Sequence, residues 1–375
     1  MNKKSVLIIF LGNFFFDSRA TNFYKSLTDR GYAVEVISFD WLTKDFKTQK
    51  KGDISVYKLK KVFFSIGFYF KFAVIISFKL LLSKTDLIFA EDVYTLPFAV
   101  IFSKIKKSKV FYDSREVYGH LAGLKRREKL QAFWGWVEKN CINSVNLVIT
   151  TGEMDSKHIE EEYGLPGTMV IRNLPFNAEI KETFNFRKQL NFERGKKILL
   201  YQGVILHGRG LEIIFDIMPE LKDCVLIILG DGEHKEYYED LAKKKKLEDK
   251  VFFLGKFKQE ELLKYTAGAD VGLAIIENLS LSYYFALPNK MFEYIYCGVP
   301  VLASNLPQMK SIIEKYNVGI CVDAENKNDT ILQLNNLLYN NELMNELKRN
   351  CHLAAAELNW NVEITKLFTF IEENI

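Results

Sequence analysis

The chain has 375 residues, 48% hydrophobic and 26% charged, too long for one ordinary core and suited to about two globular domains. Its five cysteines (Cys141, Cys224, Cys297, Cys321, Cys351) are odd in number and never form a CxxC pair, which argues against a disulfide framework or a zinc site and for a reducing compartment. The net charge of +4 is uneven: residues 1–130 carry 24 Lys+Arg against 12 Asp+Glu, giving +12, and the remainder 27 against 35, giving −8. A basic first third suits anionic lipid or an anionic acceptor, and a basic surface of no particular role is the plain alternative. No nucleic-acid-binding motif accompanies it, so no nucleic acid partner is expected. Lys3 and Lys4 precede an apolar run of only about six residues, which does not read as a signal peptide; a cytoplasmic protein is expected.

Ser5–Leu11 is a buried-strand pattern, Gly12 and Asn13 form a turn, and Ser18–Arg30 reads as a helix stopped by Gly31. Ala33–Ser38 is the next strand. Strand, glycine turn, helix, strand opens a Rossmann-like half, but without GxGxxG a dinucleotide cofactor is not indicated. The loop Gly12–Arg19 lies at the carboxyl end of the first strand, where open α/β sheets place ligands. Arg19 either reaches that edge or is an exposed helix arginine.

Val62–Leu82 is apolar except for Lys71 and Lys79 among charged residues. About 20 apolar residues can span a bilayer, but two lysines, each costing roughly 2.5–3.5 kcal/mol near its centre, argue against a span. A helix on the sheet is expected. It either packs only in the core or offers an aromatic face (Phe63, Phe64, Phe68, Phe70, Phe72), flanked by Lys58, Lys60 and Lys61, to a membrane surface through residues 58–82. Asp86–Ala90 is a strand leading to Asp92, and Lys109–Gly119 reads KVFYDSREVYG. Ala132–Asn143 and Gly152–Tyr163 read as helices, with strands at Leu147–Thr151 and Thr168–Ile171. Residues 176–196 are polar, without period, and read as an interdomain linker.

The pattern restarts with a strand at Lys197–Gln202, the glycine-bearing loop GVILHGRG at Gly203–Gly210, and a helix at Leu211–Met218. Cys224–Leu229 is a strand ending at Gly230 and Asp231. Val251–Gly255 is a short strand, Gln259–Ala267 a helix, and Asp270–Ile276 a strand leading to Glu277. In Leu287–Ser304, LPNKMFEYIYCGVPVLAS, Pro288 suits a helix first turn, Asn289–Cys297 reads as the helix, Gly298 as its stop and Val299–Ala303 as a buried strand. The helix start suits a phosphate, Lys290 adds positive charge, and Glu293 shares the face of Asn289 and Lys290. A capped helix with a simple Lys–Glu pair is the alternative. Asp329–Leu358 reads as helix, and Val362–Glu373 as the last one.

These residues resemble glycosyltransferase family 4, whose fold is GT-B. The resemblance implies an α/β chain of two Rossmann-like, doubly wound domains facing a cleft. An acceptor-binding domain would span residues 1–178 and a nucleotide-sugar-binding domain 179–355. The last helix, 356–375, would cross back to the first domain. It implies that Glu293 binds the ribose and that Gly203, Arg209, Gly210, Gly230, Asp231, Asn289 and Lys290 surround the diphosphate and sugar. Gly12, Asn13, Arg19 and Asp92 fall on the acceptor side, and Asp113, Arg115, Glu116 and Glu277 are the catalytic candidates. The sequence departs from the family pattern at three places: Arg115 where a histidine is common, Val204 where an arginine is common, and Phe285 eight residues before Glu293 where a glutamate is common. Arginine stays protonated and cannot act as a general base, but it can bind a phosphate or an acceptor.

The expected function is a retaining glycosyltransferase of the hexosyltransferase type (EC 2.4). It would move a sugar from a nucleoside-diphosphate sugar to a glycan, lipid-linked or protein acceptor in cell-surface glycan synthesis. No cofactor and no metal is expected. The cytoplasmic protein would be peripheral on the inner membrane face if residues 58–82 touch lipid. A GT-B sugar-nucleotide epimerase, or a non-catalytic nucleotide-sugar-binding partner of another transferase, remain open.

Overall fold

A computed structural model describes residues 4–41, 43, 46–60, 65–120, 127–193 and 195–374. Lys3, Lys61, Val62, Phe63 and Phe64, all part of the sequence expectations, lie outside the described residues. The chain divides into two compact units, Met1–Arg172 and Asn173–Ile375.

Unit 1 alternates strands with helices: β1 (Ser5–Phe10), α1 (Ser18–Asp29), β2 (Ala33–Asp40), β3 (Gln49–Lys51), β4 (Ile54–Lys58), α2 (Ser65–Leu82), β5 (Leu87–Ala90), α3 (Leu96–Lys106), β6 (Lys109–Ser114), α4 (Glu128–Ile142), β7 (Leu147–Thr150), α5 (Glu153–Tyr163) and β8 (Met169–Val170). Its sheet runs β3-β4-β2-β1-β5-β6-β7-β8. Only the β3–β4 pair is antiparallel. Helices cover both faces of such a sheet, so its strands are near-continuous apolar runs. VLII of β1 and LIFA of β5 are buried throughout. The Asp17 side chain accepts the N–H of Ala20 at 2.8 Å and caps α1. Capping of this kind contributes about 1 kcal/mol.

Unit 2 repeats the plan with α6 (Phe186–Gln189), β9 (Lys197–Gln202), α7 (Leu211–Ile217), β10 (Cys224–Leu229), α8 (Lys235–Lys244), β11 (Val251–Gly255), α9 (Gln259–Thr266), β12 (Val271–Ala274), α10 (Leu281–Tyr284), α11 (Asn289–Tyr296), β13 (Val301–Ser304), α12 (Pro307–Tyr316), β14 (Gly319–Val322), α13 (Lys327–Tyr339), α14 (Asn341–Ala355), α15 (Trp360–Glu363) and α16 (Thr365–Asn374). All its strands are parallel, in the order β11-β10-β9-β12-β13-β14. The connections reverse direction between β9 and β12, and ligands bind at the carboxyl ends of strands beside such a reversal. In unit 1 the reversal falls between β1 and β5.

Three differences from the sequence reading have local causes. The expected linker at 176–196 contains α6, where Asn185 caps the turn and Phe186 is buried against Tyr265. The single helix expected at 329–358 is two, because the Asn340 side chain accepts the N–H of Leu343 at 3.1 Å and starts a new helix. Pro288 stands one residue before α11, with φ −74° and ψ 137°, instead of inside its first turn.

Candidate functional site

In unit 2 the glycine loop leaves β9 and α11 begins close beside it. Gly210 has φ +78°, and a Cβ there would lie 2.4 Å from the Cβ of Ile275, so only glycine lets the loop press on the end of β12. Glu277 holds the same loop. Its N–H donates to the Gly208 carbonyl at 3.0 Å, and its carboxylate accepts the N–H of Gly210. Burial raises the Glu277 carboxyl above its ordinary range, with His207 pulling the other way. Gly203 sits exposed at the end of β9, and Gly230 donates its N–H to Gly255 at 2.8 Å at the end of β10. Asp231 is exposed, and its carboxylate accepts the N–H of Gly232 at 2.9 Å.

Lys290 is 7% exposed, and its ammonium lies 3.9 Å from the centre of the Tyr201 ring. Among the described residues it makes no salt bridge and no hydrogen bond. Burial drives its pKa well below the ordinary lysine range, the Arg209 charge adds to that, and Glu293 opposes it. Arg209 lies over the ring of Tyr283, 4.6 Å from its centre. No side chain caps the start of α11, and Asn289 is exposed there. Two cations and an uncapped helix start therefore converge on one edge, and the cost of burying the ammonium, offset only in part by Glu293, is relieved when an anion joins it. Glu293 is 6% exposed and accepts from the Gln202 amide, whose oxygen in turn accepts from Thr266 at 2.8 Å. That chain fixes the carboxylate on the Lys290 face of α11.

Sequence reasoning picked out Lys290, Glu293, Arg209 and Glu277 but not the side chains that seat them: Tyr201, Gln202, Thr266 and Tyr283. The final two residues of β9 had a signal in being polar within an otherwise apolar strand. Val204 is exposed at the loop position where an arginine was the family expectation. Phe285 is buried, and its carbonyl accepts from Gln308, so that position brings no carboxylate to the loop. Cationic charge on the loop rests with Arg209.

Unit 1 gathers a different constellation at the ends of β1, β5 and β6. Arg115 donates to Asp17 at 2.5 Å, to Glu91, and to Asp113 at 3.3 Å. Arg19 binds Asp113 through two nitrogens at 2.6 and 2.7 Å and reaches the carbonyl of Ile171 at 2.7 Å. Arg19 is 3% exposed, so it is neither an exposed helix arginine nor free for a ligand. Burial alone would lower the Arg115 pKa, and Asp17, Glu91 and Asp113 outweigh it and raise it well above the ordinary value. Glu91 is fully buried, its Oε1 has no partner among the described residues, and burial raises its carboxyl to about 8. Glu91 and Asp17 were missed in sequence because each pairs with Arg115 across a distance, 24 and 98 positions along the chain.

The acceptor-side candidates take local roles as well. Asn13 donates to Asp40 at 2.6 Å and accepts the N–H of Phe15 at 3.0 Å. Gly12 stands beside the Phe10 ring. Asp92 accepts the N–H groups of Leu11 at 2.5 Å and Thr95 at 2.7 Å, tying the end of β1 to the start of α3. Glu116 is exposed.

The two units, each a largely parallel sheet wrapped by helices, define the GT-B fold. Residues 182–352 match the family model described as glycosyl transferases group 1. The uncharacterized glycosyltransferase MJ1607 of Methanocaldococcus jannaschii is 28% identical over 153 residues, 40% of this chain and 38% of that protein. The chain spans under two fifths of the length of the curated relatives it matches. Among solved structures, sucrose-phosphate synthase from Thermosynechococcus elongatus superposes with a TM-score of 0.77 at 17% identity, covering 99% of each chain. HepE from Anabaena in complex with UDP-glucose gives 0.76 at 14% identity, covering 98% of this chain and 99% of that one.

Proposed function

We propose that the protein is a glycosyltransferase that takes a nucleoside-diphosphate sugar in unit 2 and passes the sugar to an acceptor recognised by unit 1. The observation that carries this reading is Lys290, 7% exposed and without a salt bridge or hydrogen bond among the described residues, set beside Arg209 at an uncapped helix start. An anion with two linked phosphates is the chemistry such a site accepts. Glu293, anchored by Gln202, takes the ribose hydroxyls. The match of residues 182–352 to glycosyl transferases group 1 supports the same reading.

During transfer the bond between the anomeric carbon and a phosphate oxygen breaks as an acceptor hydroxyl oxygen bonds to that carbon, and the departing diphosphate gains negative charge before it takes the hydroxyl's proton. Lys290 and Arg209 are already in place to stabilise it, which lowers the barrier without reorganisation. Since these cations supply the charge, no metal ion is needed. Glu277 keeps the loop closed over the phosphates through Gly208 and Gly210. The sugar, a hexose, is transferred with retention to a glycan, lipid-linked or protein acceptor on the route to a cell-surface glycan, and the protein works in the cytoplasm.

A thermal-shift panel of UDP-, GDP-, ADP- and CMP-sugars on wild type and Glu293→Ala tests this, since a ligand that binds only the folded state raises Tm. One nucleotide series should stabilise wild type and lose most of its shift in the variant. Equal shifts in both proteins, or none in wild type, would contradict the assignment. Binding without sugar transfer to any acceptor would favour the non-catalytic partner, the role that the replacements at Val204 and Phe285 leave open.

A further inference from the structure

The first unit carries an apolar surface that its own core does not use. Helices α2, α3 and α4 form one layer on the sheet, joined by ring contacts of Phe72 with Phe98 at 5.8 Å and of Tyr69 with Trp134 at 5.4 Å. The inner face of α2 is core, with Phe68, Phe72, Ile76 and Leu80 buried at helical spacing. Its outer face repeats the spacing with apolar residues again: Phe70 is 71% exposed, Val74 52%, Phe78 57% and Leu81 57%. Ile101 and Ile105 continue the surface on α3, and Phe133 and Trp136 on α4. A water-facing helix normally places polar residues there, so an apolar face of this extent marks a contact surface.

Along α2 and α3 the charges are of one sign, while α4 carries exposed Glu128. Neither α2 nor α3 contains an acidic residue, while Lys71, Lys84, Lys104, Lys107 and Lys109 are exposed along and beyond them. Lys106 donates to the Leu81 carbonyl at 2.8 Å, which binds the carboxyl ends of α2 and α3 together and brings Lys84, Lys104 and Lys107 to that end, with Lys71 further back along α2. Among the described residues no helix is long and apolar enough to cross a membrane.

We infer that the α2–α3–α4 face docks on an anionic lipid bilayer, its phenylalanines and leucines entering the headgroup boundary and its lysines meeting the lipid charge. A second copy of the chain fits poorly, because a twofold contact through this face would bring lysine rims together. The inference does not depend on the donor-site reading, and it draws on α3 and α4 as well as the segment 58–82.

Vesicle flotation tests it, comparing phosphatidylcholine vesicles with vesicles that also contain phosphatidylglycerol. Wild type should float with the anionic vesicles, less so as salt is raised, and weakly with the neutral ones. Phe70→Ser combined with Phe78→Ser, and separately Lys71→Glu combined with Lys104→Glu, should each lower partitioning by at least about tenfold. All four side chains are at the surface, so circular dichroism melts should match wild type. Absence of wild type from both floated fractions would overturn the inference. So would flotation of the variants equal to wild type, or a dimer in solution that the phenylalanine variant returns to monomer.

Discussion

Lys290 is costly to the fold, and the proposed function gives that cost a use. Its pKa is lowered on folding, so the unfolded chain holds the proton more firmly than the folded one. Folding is penalised at pH below the ordinary lysine value of 10.5, and the penalty shrinks as pH rises towards it. Lys290→Met should therefore raise the Tm of the ligand-free protein, by roughly 2–4 °C for a gain of about 1 kcal/mol, while losing the shift produced by the nucleotide sugar. A fall in Tm would show that the ammonium has a partner the geometry does not contain. Glu91 behaves in the opposite sense across another window. Its carboxyl is raised from 4.5 to about 8, so between those values the folded chain keeps a proton that the unfolded chain has released. Its contribution makes stability fall as pH rises from about 4.5 to about 8, and Glu91→Gln should flatten that part of the profile, read from denaturant melts.

At the scale of elements, α1 is joined to β6 by the buried Arg19–Asp113 pair, and its cap Asp17 pairs with Arg115 just beyond the same strand. Removing one partner leaves the other charge buried, so Arg19→Met should cost roughly 3–5 kcal/mol in urea unfolding, far more than loss of a surface pair. If Arg19→Met unfolds like wild type, the pair carries no weight in the fold. Gly210→Ala combines positive φ with a clash against Ile275 and should destabilise unit 2 by about 2–4 kcal/mol. The same elements show what the sequence discloses. Largely apolar runs bounded by turn residues placed β1, β2, β9 and β10 well, the pattern after Gly12 and Asn13 placed α1, and Gly298, with φ +71°, ends α11 as read. Helix α3 escaped notice because LPFAVIF has no polar face to reveal its period. The Arg19–Asp113 pair spans 94 residues, and no local pattern encodes it. The environments of Lys290 and Glu293 likewise depend on Tyr201 and Gln202, nearly 90 residues earlier in the chain.

For the whole molecule, the basic first third and the acidic remainder acquire separate meanings. Basic residues in unit 1 gather along α2 and α3, beside an apolar face suited to a charged bilayer. In unit 2 the net negative charge does not describe the site, where Lys290 and Arg209 set the local potential. Composition bounded the partners, and the fold gives each proposed partner a candidate surface. The account rests most on the diphosphate held by these two cations. Titration calorimetry should compare the nucleoside diphosphate with its parent nucleoside, using the base that the thermal panel selects, on wild type and Lys290→Met. The account predicts that wild type binds the diphosphate at least about a hundredfold more tightly than the nucleoside, about 2.7 kcal/mol, and that the variant loses most of that difference. Equal affinities for the two ligands in wild type, or an unchanged difference in the variant, would contradict it.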